Sequence, residues 1–208
     1  MSVGQIQRLV NPDLPLPPSF DSNQTMTLDN VAEIAAGVAG VEIRPYSTFD
    51  FGRDKEPAAR SLLVSNKTGE RVLKGVRERL PAGFIAFLGT SRWLGNEKHN
   101  GKSELVLASG ADQFDILRVA RSDAVNYDMY AEDLIVRLKK YHEQIGIDII
   151  HAETDTIDFE CTSLPANIVA FCDDLYEFCP DIVDQGVGSV EALADAVRRT
   201  KRVQLWWD

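Results

Sequence analysis

A helical stretch that runs into a proline fixes the chain's course between residues 176 and 186, Tyr-Glu-Phe-Cys-Pro-Asp-Ile-Val-Asp-Gln-Gly. Proline disfavours helical geometry at the residue before it and has no N–H to donate. The helix carrying Leu175, Tyr176 and Phe178 must therefore end near Cys179. Pro180 can start a fresh turn through Val183, because its missing N–H costs nothing at a first helical position. Gly186 and Gly188 permit positive φ. Ser189 suits the N-cap of a last helix with Glu191 in its first turn. Two uses of the corner stay open: a polar surface made by Asp181, Asp184 and Gln185, or a connector whose acids are solvated.

Charge is unevenly placed along the chain. Residues 1–110 hold 13 Lys/Arg and 12 Asp/Glu, a net of +1; residues 111–208 hold 9 and 20, a net of −11. No Lys or Arg occurs from Tyr141 to Val197, a span of 57 residues with 13 acids. Phosphate would meet like charge there, which speaks against nucleic acid as a partner. A basic protein or a cation would be steered toward it. Asp158, Glu160, Asp173, Asp174, Glu177, Asp181, Asp184 and Gln185 form the candidate partner-binding set. The competing reading is a solvated face that maintains solubility, although mixed charges would serve that purpose too.

Periodicity gives the elements. The prolines at 12, 15, 17 and 18 mark residues 1–26 as an extended arm. Thr27 caps a helix to about Ala39, Val41–Ser47 is a strand, and 48–60 is a charged loop. Ser61–Ser65 is a strand, Thr68 caps a helix ended by Pro81, and Gly83–Leu88 and Glu104–Ala108 are strands. The polar loop between those two carries Trp93 and His99; Trp93 is expected to fold back on its own domain. Phe114–Ala120 reads as a strand, and Asp128 as the N-cap of a helix over Met129–Ile145. Ile147–Ala152 and Thr156–Cys161 are strands, and in the second Asp158 and Glu160 alternate outward from Ile157, Phe159 and Cys161. A helix over Pro165–Phe178 buries Ile168, Val169, Phe171, Cys172, Leu175 and Cys179. The Ser189–Thr200 helix and a terminal strand follow, with Trp206 and Trp207 on opposite sides. The expected class is α+β: a C-terminal ferredoxin-like split βαβ arrangement with one extra helix over 111–208, after a smaller α/β half over 27–110. The terminal strand is expected to share a sheet with Phe114–Ala120.

Chemistry-bearing motifs are sparse. No apolar run approaches the roughly 20 residues that span a bilayer, and the N-terminus lacks a signal-peptide core. A chain with three cysteines suggests no disulfide framework, so a reducing cytoplasm is expected. Cys161, Cys172 or Cys179 with His142 or His151 could form a thiol–imidazole pair, but cysteines seven apart on one apolar helix face behave as small hydrophobes. The spacings suit neither zinc nor calcium, and there is no phosphate-binding glycine loop, so no metal or cofactor is expected.

Several runs together carry a resemblance: Phe-Asp-Ile-Leu-Arg-Val, Asn-Tyr-Asp, the stretch from Tyr176 to Gly186, and the terminal Leu-Trp-Trp-Asp. Over residues 104–208 the chain resembles the bacterial domain of unknown function 4253. The resemblance carries over no catalytic residues. It implies a small bacterial protein, with immunity to a toxin as one role in that setting. The expectation is a non-enzymatic protein-binding module that neutralises a basic toxin through its acidic half. The alternative is an enzyme with a site near the Cys179-Pro180-Asp181 corner.

Overall fold

The computed structural model describes residues 26–47, 55–93 and 97–208; the expected arm over residues 1–26 lies outside them except for Met26. Helix α1 (Leu28–Ala39) starts where the Thr27 hydroxyl accepts from Asn30 N and stops at Gly40, whose φ of 68° needs no Cβ to accommodate. Strand β1 (Ile43–Ser47) and strand β2 (Lys55–Ser65) pair antiparallel, with a bulge between Pro45 and Tyr46. The expected loop over 48–60 is corrected: β2 begins at Lys55, and its residues from Ala59 onward pair with the next sheet neighbour. Residues 48–54 lie outside the described set. Helix α2 (Gly69–Arg77), strand β3 (Phe84–Leu88) and strand β4 (Lys102–Ser109) complete this half.

The largest correction concerns residues 114–120, which form helix α3 (Asp115–Ala120) and not a strand. Ile116, Leu117 and Ala120 are its buried residues, a helical spacing within a run too short for period alone to decide. Local hydrogen bonds settle it: Asp112 Oδ1 accepts from Phe114 N, and Asp115 Oδ2 accepts from Ala111 N. Helix α4 (Ala131–Ile145) starts two residues later than expected. Asp128 is not its N-cap; it sits at φ 55° closing a single turn over Val125–Tyr127, and Tyr130 N donates instead to Asp133 Oδ2 at 2.9 Å. Strands β5 (Ile147–Ala152) and β6 (Thr156–Cys161) follow as expected. Helix α5 (Ile168–Phe178) starts at Asn167, whose side chain accepts from Ala170 N, and it leaves Val169 exposed rather than in the core. A π-helical turn (Ile182–Val187), helix α6 (Val190–Thr200) and strand β7 (Arg202–Trp206) end the chain.

The α+β class stands. Among the described residues the seven strands form one sheet, in the order β1-β2-β4-β3-β5-β6-β7. The C-terminal strands β5, β6 and β7 are sequential antiparallel neighbours, so the split interleaving of a ferredoxin-like arrangement is absent. With 114–120 helical, β7 pairs with β6 and not with that segment.

Two apolar layers sandwich the sheet. Helices α3 to α6 cover one face, where Leu117, Leu138, Leu175 and Val197 meet Phe87, Val106, Phe159 and Leu205. Helices α1 and α2 cover the other, with Val31 and Leu73 over Leu62, Leu105, Leu107 and Ile150. Each such side chain contributes about 1.5–3 kcal/mol on burial. The sheet is parallel at β3 and β5, where Leu88 pairs with His151. Arg77 of α2 reinforces that junction by donating to Ala86 O at 2.8 Å, Ile149 O at 2.6 Å and Asp148 Oδ1 at 2.8 Å.

Candidate functional site

The outer surface of α5, the π-helical turn and the start of α6 carry most of the expected acids. The segment from Ile168 to Val197 has seven carboxylates, buried Asp181 among them, and no basic side chain. Asp173, Glu177, Asp184 and Glu191 are exposed. Val169 of α5 and Val187 of the π-helical turn are 41% and 42% accessible. Asp184 accepts from the Tyr176 hydroxyl at 2.9 Å, which ties the turn back to α5. Asp174 differs: it is half-buried, 3.4 Å from Arg137 Nε and 3.2 Å from Lys140 Nζ, both on α4. The neighbouring helix thus neutralises one acid of the set, and Arg137 also lies 4.0 Å from Glu177.

Asp158 and Asp181 do not belong to this surface, and their expected exposure is corrected. Asp181 is 5% accessible. Its Oδ2 accepts from the Tyr127 hydroxyl at 2.9 Å and from Asp208 N at 3.0 Å, and its Oδ1 from the exposed Gln185 at 2.9 Å. Burial pushes this carboxyl up, but those three donors outweigh it and hold the group below its ordinary value. Around it, the Cys179 thiol donates to Trp206 O at 2.9 Å and the Trp207 indole donates to Phe178 O at 3.2 Å. The Trp206 ring lies over Gly186, where a Cβ would come within 2.7 Å of it. Three of the four runs that carry the sequence resemblance, those with Tyr127, the Pro180 corner and the terminal Trp-Trp-Asp, therefore meet in one knot that fastens the end of the chain to that corner.

This knot offers no nucleophile. Burial pushes the Cys161 and Cys172 thiols up to about 11 and the Cys179 thiol up to about 12, so all three stay protonated at neutral pH. His142 Nδ1 accepts from Ile147 N at 3.1 Å and so fixes the start of β5. Among the described residues, no group of three or more His, Cys, Asp or Glu side chains is placed to hold a metal ion.

A second polar cluster sits at the carboxyl ends of β3 and β5; sequence reasoning named its His151 and Asp158 separately but did not bring them together. His151 is buried; its Nε2 is 2.9 Å from Glu153 Oε1 and 3.1 Å from Gly89 O. Its Nδ1 faces Asp158 Oδ2 at 3.7 Å, too long for a hydrogen bond but close for an ion pair. Burial alone would lower the imidazole, but Asp158 and Glu153 outweigh it and push the ring up to about 9. Ser91 donates to Glu153 Oε1 through both N and Oγ, at 3.1 and 2.6 Å. Arg202 links Asp158, at 3.2 Å, to Glu70 of α2, at 2.6 Å. Across β4, Glu104 is 2% accessible on the same face as Val106 and Ala108. A carboxylate at an inward position of an apolar strand, and a His-x-Glu at a strand end, are the sequence signals that mark these groups. In the loop after β3 the half-buried Trp93 folds back as expected: it donates to Lys102 O at 2.7 Å and meets His99 edge-on.

No helix among the described residues is long and apolar enough to cross a membrane. Neither a curated protein nor a solved structure matches the chain. Residues 104–208, half of its length and the whole of the region closed by the Asp181 knot, match the model of a domain of unknown function, and the chain belongs to that family, DUF4253.

Proposed function

We propose that this protein is a non-enzymatic binding module that takes a basic protein partner through the surface of α5, the π-helical turn and the start of α6. The observation that carries this reading is the segregation of charge: Asp173, Glu177, Asp184 and Glu191 are exposed on a surface that has no basic residue of its own. Val169 and Val187 are exposed apolar side chains on the same elements, and protein interfaces combine such side chains with a polar rim. Carboxylates so placed steer a basic partner and raise its association rate. A basic toxin, held neutral by this chain in the cytoplasm, is the partner class that we assign. The buried, unpaired state of all three cysteines fits a reducing compartment.

Asp173, Glu177 and Glu191 are exposed, so replacing them together with Lys leaves the core untouched. Asp174 is left in place because its loss would strand Arg137 and Lys140. With a captured partner of basic charge, the triple variant should associate at least about tenfold more slowly at low salt, and the gap should shrink at high salt. Equal rates for both proteins, or an acidic partner, would defeat the proposal.

A further inference from the structure

Ser61 on β2 has one hydroxyl hydrogen and two acceptors within reach. Its Oγ lies 3.1 Å from Pro45 O on edge strand β1 and 2.9 Å from Glu104 Oε1 on β4. A hydroxyl donates once and accepts elsewhere. If Glu104 is a carboxylate, Ser61 must give up one of the two. If Glu104 carries a proton, the carboxyl donates to Ser61 and Ser61 donates to Pro45, and every contact is satisfied. The other oxygen, Oε2, is buried without a partner. That costs far less for a neutral acid than for a charge.

We propose that protonated Glu104 is a latch on the edge of the sheet, and that losing the proton releases β1 at its Pro45–Tyr46 bulge. The groups facing Glu104 agree. Arg44 and Tyr46 approach from β1, Ser61 from β2, Thr90 from the turn after β3, and Glu153, held by His151, from the end of β5. Burial dominates and pushes the carboxyl up to about 7, with Ser61, Arg44 and Thr90 opposing it and Glu153 adding to it. Arg44 Nη1 is itself buried without a partner, so a charged Glu104 has a cation near it that is free to turn inward once β1 loosens. The latch is independent of the partner surface on α5.

The test is amide hydrogen exchange of β1 and β2 in the full chain from about pH 5.5 to 8.5, corrected for intrinsic exchange. Wild type should lose about tenfold in protection across the carboxyl's titration. Glu104→Gln, whose amide donates to Ser61 as the neutral acid does, should lose no protection through the Glu104 window and keep only the later fall that His151 brings to both proteins. A flat wild-type profile, or one that Glu104→Gln reproduces, overturns the latch. The Glu104 carboxyl ¹³C shift gives a second readout that needs no variant, and a midpoint in the ordinary glutamate range overturns it as well.

Discussion

The backbone N–H of Asp208 donates to the buried carboxylate of Asp181, 27 residues earlier, at 3.0 Å. The same carboxylate takes the Tyr127 hydroxyl and the Gln185 amide, so one side chain fastens the terminus, the turn after α3 and the π-helical turn. Asp181→Ala leaves three donors without their acceptor and should cost about 2–4 kcal/mol. Chemical denaturation measures this, and Asp181→Asn, which keeps one acceptor oxygen, should lose less. Equal stability of Asp181→Ala and wild type would show that the knot is ornamental.

Trp207 fills the core beside Phe178, with ring centroids 5.4 Å apart and edge to face. Trp207→Ala should lose about 3–5 kcal/mol, the range for emptying a large aromatic site. Deleting residues 205–208 removes the Asp208 N–H and Leu205 as well and should lower the melting temperature further. An unchanged melting temperature in the truncated protein would contradict the packing described for β7.

Two glycines make contrasting predictions. A Cβ on Gly89 would meet Val106 at 2.8 Å and Tyr46 at 3.1 Å, both in the interior. Gly89→Ala should therefore cost about 1–3 kcal/mol through overpacking. A Cβ on Gly186 meets the far end of half-buried Trp206, which can swing outward. Gly186→Ala should alter tryptophan fluorescence more than it alters stability. The reverse ranking in a thermal melt would contradict these placements.

His151 is held protonated by Glu153 and Asp158, with its folded-state value at about 9 against 6.5 when unfolded. Its contribution to stability is fully present below about pH 6.5 and is lost as pH rises through about 9. The loss is on the order of 3 kcal/mol. Wild type should thus fall in stability across that alkaline window, while His151→Gln, less stable at neutral pH, should show a flatter profile. Glu104 acts in a lower window: its raised value means that stability is lost between about 4.5 and 7. Glu104→Gln should remove that lower slope alone, so urea titrations at several pH values separate the two groups.

What the sequence made legible was local. Proline at 180, serine at 189, threonine at 27 and the alternation of Ile157, Phe159 and Cys161 set their elements correctly, because capping, ring closure and strand period act over a few residues. The reading of Phe114–Ala120 failed because six or seven apolar-rich residues fit either period until Asp112 and Asp115 commit the backbone. Asp158 was placed rightly on the outward face of its strand. It is nevertheless buried, since Arg202, Glu70 and His151 arrive from distant parts of the chain. Asp181 looked like a surface acid for the same reason: its three donors lie at positions 127, 185 and 208, and two of them are far off in sequence.

The single parallel joint at β3 and β5 carries a kinetic consequence. It brings together residues 88 and 151, with β4, α3 and α4 looped between them. Every other pairing in the sheet is antiparallel. The hairpins and meander on either side can zip from their own turns, whereas this joint must first close a long loop. Until it closes, β3 and β5 each present a bare edge. A crowded refolding reaction then offers each edge the complementary strand of another molecule, and the exchanged dimer keeps all seven strands paired.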